Sequence, residues 1–155
     1  MTMEERLKYA NRFVKKEVEE AYRNDERKKR DFLSLAKRLP SLLLSSGLIV
    51  TIAYLKKRSK EEGERSEGSL EERSTDKKSP EPEELVLGYL TDCITRAGLL
   101  KEGHDLFEYL LSEDGPSPEH VSLMLDEALN SAEALKIISE ARLGGKGGSP
   151  LGGQD

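Results

Sequence analysis

Apolar residues recur along this chain at helical spacing. Leu7, Ala10, Val14, Val18 and Ala21 follow one another at intervals of 3, 4, 4 and 3, which places them on one stripe of an α-helix. Ahead of them, Thr2 and Glu5 stand at the spacing of a capping box, in which each side chain satisfies the other residue's free backbone N–H. Asn24-Asp25 is the first interruption. A second helical segment carries Phe32, Leu33, Leu35 and Ala36. It is predicted to end at Leu39, because Pro40 disfavours helical geometry in the residue before it. Pro40 can itself open a new turn, since its missing N–H costs nothing at a helix start. Leu42, Leu43 and Leu44 follow, and Ser45-Ser46-Gly47 reads as a break. Leu48 to about Lys60 then resumes as a helix ending in KKRSK, where cations suit the carboxyl-terminal dipole.

Residues 61–82 hold a single large apolar residue, Leu70. A segment so polar buries too little surface to offset its ordering entropy, and it is expected to be a mobile charged loop. Prolines 80 and 82 introduce a helix from Glu83 to about Leu100, and Gly103 sets off a short one from Asp105 to Ser112. Ser117-Pro118 combines a capping hydroxyl with proline at the first helical position, and that last helix runs to Leu143. The tail, 144–155, is half glycine and is expected to be flexible. No segment alternates with the period of two that a half-buried strand needs. The fold class is all-α: a compact bundle of about five to seven helices, forming one domain over residues 1–143.

Composition fits this picture. A chain of 155 residues suits one domain. With no Trp and only 5% aromatics, Leu, Ile, Val and Ala must supply most of the buried surface. The one cysteine, Cys93, lies in an apolar helical run and reads as a buried structural thiol. The charged amino terminus lacks the apolar stretch of a signal peptide, so a cytoplasmic protein is expected.

Charge changes the picture more. The net charge is −5, which taken alone argues against binding nucleic acid. Yet residues 1–60 hold 16 Lys/Arg against 8 Asp/Glu, whereas residues 61–155 hold 9 against 22. Asymmetry of this kind points to a polyanion or a membrane surface on one side, or to two solvated faces that attract each other.

Candidate chemistry is sparse. His104 and His120 stand near helix starts, and neither has a Glu three residues before it as di-iron bundles require. There is no His-Glu-x-x-His, no Gly-x-Ser-x-Gly and no second Cys for a metal set. The glycines around Lys146 lack the first Gly and the Ser or Thr of a phosphate loop. Carboxylates on the helices read as solvated faces. No catalytic residue, metal site or cofactor is expected.

Two features remain. Leu39 to Leu55 is a run of seventeen uncharged residues flanked by Lys37-Arg38 and Lys56-Lys57-Arg58. It stands at the lower edge of a membrane span, and a membrane-associated protein anchored by residues 39–55 is the alternative reading. A proline, three serines, Gly47 and basic flanks at both ends fit a buried core hairpin better, with no membrane partner. The second feature is the basic set Arg27, Lys28, Lys29, Arg30, Lys37, Arg38, Lys56, Lys57, Arg58 and Lys60. Arg27, Arg30, Lys37 and Arg38 can share a broad helix face, and a hairpin would bring the two flanks of the apolar run together. Such a cluster either contacts phosphates without reading bases or balances the acidic half.

The segment Ser34 to Lys60 resembles the small subunit of the type III-B CRISPR effector complex, the Cmr family. The resemblance rests on Lys37-Arg38-Leu39-Pro40, Ser46-Gly47-Leu48 and Ala53-Tyr54-Leu55, with a looser likeness at Ser131 to Ile138. Ser46 and Val50 replace the Asn and Gln common in that family, and the last helix lacks its usual Trp. The resemblance implies a helical bundle without nuclease activity, acting in antiviral defence. It also implies self-association along a filament beside the other subunits of the complex, with a basic face along guide RNA and target RNA. Carried over by position, Lys37, Arg38 and Lys56 lead the RNA-binding candidates; Arg27 and Arg30 come next, with Lys57 and Arg58 beside them.

Overall fold

The computed structural model describes residues 1–67 and 79–144. Five α-helices carry the fold: α1 (Met3–Phe13), α2 (Glu26–Glu67), α3 (Pro82–Arg96), α4 (Leu106–Leu111) and α5 (Pro118–Leu143), and the described residues contain no strand. A π-helical turn, Val14–Glu19, extends α1. The capping box at Thr2 and Glu5 forms with both of its bonds, Glu5 N–H to Thr2 Oγ1 at 3.1 Å and Thr2 N–H to Glu5 Oε1 at 3.0 Å. Ala10, Val14 and Val18 are fully buried, so the stripe read from spacing faces the core.

Pro40 does not end a helix. It lies inside α2, which runs on past it, although proline removes one backbone bond and crowds the carbonyl four residues earlier. Leu39 and Leu43, on either side of it, are fully buried. Packing on the core holds the segment helical against the local preference. The true break comes at Gly47, with φ 86° and ψ 170°, a region essentially closed to residues with a Cβ.

That one residue reverses the chain. Lys28 Nζ lies 3.3 Å from Glu81 Oε2, and Arg58 Nε lies 3.8 Å from Glu83 Oε2. In an unbroken helix Lys28 and Arg58 would be about 45 Å apart, yet their partners are two residues apart in the chain. The two arms of α2 must therefore fold against each other, as the uncharged run and its small-residue break led one to expect. Thr51, fully buried, clips the arms by donating its hydroxyl to the Leu42 carbonyl at 3.3 Å.

The second arm continues to Glu67, so the first residues of the segment expected to be a loop are helical. Glu and Arg are good helix formers, and adding them to a helix already nucleated is easier than starting one. Residues 68–78 of that segment, and the tail from 145 on, lie outside the described residues. Pro82 opens α3, which closes on Gly98 (φ 81°) with Leu99 N–H bonded to the Ile94 carbonyl at 3.1 Å, the six-to-one bond of a glycine-terminated helix. Ser117 caps α5 through His120 N–H at 3.1 Å.

The core lies where α2 packs on α5 and α3, with α1 laid across α5. Leu39, Leu43, Leu48, Ile52 and Leu55 face into it with Val86, Leu90, Ile94, Met124 and Leu135. The helix is long and apolar enough by composition to cross a membrane; here these residues of the run from Leu39 to Leu55 line the protein's own interior. Aromatics contribute more than their number implies. Tyr22 and Tyr89 are the largest fully buried side chains, and their hydroxyls donate to the carbonyls of Pro80 (2.6 Å) and Ser131 (2.8 Å).

Candidate nucleic-acid interface

The basic stripe is built by the first arm of α2. At about 100° per residue, Arg27, Arg30, Lys37 and Arg38 fall within an arc of about 100°, opposite Phe32, Leu35, Leu39 and Leu43, which are buried. All four cations are exposed. They span twelve residues, about 16 Å along the axis, with exposed Ser34 among them and exposed Ser41 just beyond. Glu26 and Asp31 are the only acids on this arm, and Glu26 is engaged by Lys29 at 3.3 Å. Lys28 is engaged by Glu81 and by the Ser79 carbonyl at 3.1 Å. Burial of the neighbours thus sorts the arm's six cations. Lys28 ties the arm to Glu81, Lys29 is held by Glu26 one turn away on the same helix, and the other four project outward with no ion pair to any described residue.

The second basic group is placed differently. The reversal at Gly47 brings Lys37-Arg38 and Lys56-Lys57-Arg58 to a similar height, each about 15 Å from the turn along its own arm. Lys56 is half-buried, its ammonium 5.7 Å from the centre of the Phe107 ring. Arg58 reaches Glu83. Lys57 is exposed. Lys56 and Arg58 therefore have work inside the bundle that their spacing in the sequence does not disclose.

One charged constellation escaped the reading of carboxylates as solvated faces. Glu127, 7% exposed, accepts from Arg6 Nη2 at 2.7 Å, from Arg6 Nε at 3.1 Å and from Ser131 Oγ at 2.8 Å. Burial pushes the Glu127 carboxyl up, but the bonds from Arg6 and Ser131 together outweigh it and hold the group below the usual carboxylate range. The Arg6 hydrogen bond to Glu127 raises the guanidinium in turn. The signal was present: Glu127 sits on the stripe of Met124, Ala128, Ser131 and Leu135, where a solvated residue does not belong. This pair ties α1 to α5 and is a structural clamp.

Cys93 and His120 are similarly occupied. Cys93 is 5% exposed, and burial pushes its thiol up to about 11, away from the thiolate that nucleophilic chemistry needs. His120 Nε2 lies 2.8 Å from the Leu99 carbonyl, with its ring edge-on to Tyr109. His104 is exposed. Among the described residues no group of three His, Cys, Asp or Glu is placed to hold a metal ion.

Among the described residues, the first arm of α2 thus presents a solvent-facing basic stripe on a helix reversed at Gly47. Comparison with known families decides what kind of protein bears it. The family model of a CRISPR-associated protein, Cas_Cmr5, matches residues 3–142. The chain belongs to the Cas_Cmr5 family. Members are small, generally non-catalytic subunits of type III-B CRISPR Cmr complexes, so other subunits of such a complex are its partners. The match runs from the first turn of α1 to the last turn of α5, well beyond the segment around Gly47 that carried the resemblance. No curated protein and no solved structure gives a significant match to this Cas_Cmr5 chain.

Proposed function

We propose that this Cas_Cmr5 protein is a non-catalytic subunit that stacks along the backbone subunits of a type III-B complex, in the cytoplasm, and steadies guide RNA and target RNA through α2. The observation that carries the reading is the sorting of charge on the first arm. Arg27, Arg30, Lys37 and Arg38 stay in solvent, while Lys28 beside them is tied to Glu81 and Lys29 to Glu26. Cations on a rigid helix position a phosphate backbone without reading sequence, which suits a subunit that must accept any guide. Lys56, Lys57 and Arg58 stand at the same height and form the secondary part of the surface.

Contacts of this type are weak singly and gain strength when copies line up on one strand. RNA binding is therefore a property of the assembled complex. Purification from the native cell at gentle salt tests the assignment: repeat-derived guide RNA and large partner subunits accompany the protein. Recovery of the chain free of both would overturn it.

A further inference from the structure

The outer face of α5 carries a pattern that neither the core nor the basic stripe uses. Glu119, Asp126, Glu133 and Glu140 follow one another at intervals of seven, and all are exposed. Leu123, Asn130 and Ile137 also stand seven apart, four residues after the first three acids. Leu123 is 54% exposed and Ile137 44%. A spacing of seven drifts by only about 20° per repeat on an α-helix, so the two rows run side by side for about 31 Å. None of the four acids makes an ion pair with a described residue. Beside the first half of the face a cavity of about 420 Å³ opens between Leu123, Asp126 and Asn130 on α5 and Met1, Leu99 and Arg96 opposite. The Arg96 guanidinium lies 4.3 Å over the Tyr9 ring.

We propose that this face is a protein-docking surface whose occupant is a basic helix of a different subunit of the complex. Alternating steps of four and three are the seam along which two helices pack at a shallow angle. On such a seam Leu123 and Ile137 are the apolar anchors, with the cavity at Leu123 receiving a partner side chain. The acidic row selects Lys and Arg on the partner and repels RNA phosphates, so charge assigns the face to protein. A second copy offers two basic helices: α1 with its π-helical turn, whose Lys8, Arg12, Lys15 and Lys16 are interleaved with Glu4, Glu5, Glu17 and Glu19, and the α2 stripe. On that stripe only Arg30 and Lys37 keep the spacing of seven, and the assignment to a different subunit rests on the reading that this stripe is occupied by RNA.

Two measurements on the reconstituted complex test the proposal. A photo-crosslinking amino acid replaces Asn130, and the crosslinked peptide is identified by mass spectrometry. The expected product is a Lys/Arg-rich helical peptide of another subunit. A crosslink to RNA, to any part of a second copy of this chain, or to nothing overturns the proposal. In parallel, the E119K/D126K/E133K/E140K chain, checked for unchanged helicity and melting temperature, is titrated into the other subunits. Incorporation weakened by about tenfold or more is expected, with a smaller dependence on salt than the parent shows. The E119Q/D126Q/E133Q/E140Q chain falls between the two and reports the outcome should the lysine variant misfold. Incorporation equal to the parent in both variants overturns the proposal. RNA capture by complexes that retain the glutamine variant stays at the parental level, so failure of the docking face and failure of the RNA reading give different patterns.

Discussion

Replacing Gly47 by alanine probes the reversal on which the bundle depends. A Cβ built at this position meets nothing within 4 Å, so the change introduces no clash with neighbouring groups. The cost is conformational. At φ 86° and ψ 170° a residue with a Cβ is strained by about 1–3 kcal/mol. Alanine also restricts the unfolded chain, which offsets about 0.4–1 kcal/mol of that loss. The net destabilisation is about 1–2 kcal/mol, read from urea unfolding followed by circular dichroism. Asparagine discriminates further. It eases ordinary left-handed positions, where ψ is near +47°, but a ψ of 170° lies outside that region, so Gly47→Asn is expected to give no rescue. Alanine also favours a continuous helix, which would swing Leu48, Ile52 and Leu55 out of the core. A minor dimer that exchanges second arms is the expected companion, visible by light scattering. A Gly47→Ala chain as stable as the parent and wholly monomeric would refute the reversal.

The buried clamp and the internal proline give two further expectations. Glu127→Ala leaves the Arg6 guanidinium, 13% exposed, without its carboxylate and with only the Met1 carbonyl to accept from it, and loss of about 3–4 kcal/mol is expected from denaturant unfolding; a loss under about 1 kcal/mol contradicts the clamp. The folded Glu127 carboxyl titrates below its ordinary value of 4.5, so its contribution is complete above that pH and fades as the pH falls through the folded value. Glu127→Gln should flatten that part of the acid limb, and an unchanged acid limb argues against it. Pro40→Ala restores a helical bond and is expected to raise stability by about 1–3 kcal/mol; a lower melting temperature would show that α2 needs its bend there.

Features decided within a few residues were open to a reading of the sequence. The capping box at Thr2 and Glu5, the Ser117-Pro118 start of α5 and the break at Gly47 each depend on local backbone chemistry. Pro40 misled because its local preference is overridden by burial of Leu39 and Leu43 on a core assembled from distant helices. The pairing of Arg6 with Glu127 joins residues 121 apart, and spacing carries no information at that range. The basic stripe was legible as a helix face. Which cations remain outside it was not, because Lys28, Lys56 and Arg58 find Glu81, Phe107 and Glu83 only after the chain has reversed.

The central claim is that the outward cations of α2 hold RNA. Its most direct test is capture of target RNA by the reconstituted complex carrying R27E/R30E/K37E/R38E, measured across a salt series. With up to four phosphate contacts removed per subunit, the slope of log affinity against log salt should become shallower by about 0.7 for each contact that engages single-stranded RNA. Affinity should fall while incorporation of the subunit stays at the parental level. Parental affinity and slope in a complex that retains the variant would contradict the claim and leave the stripe as surface charge.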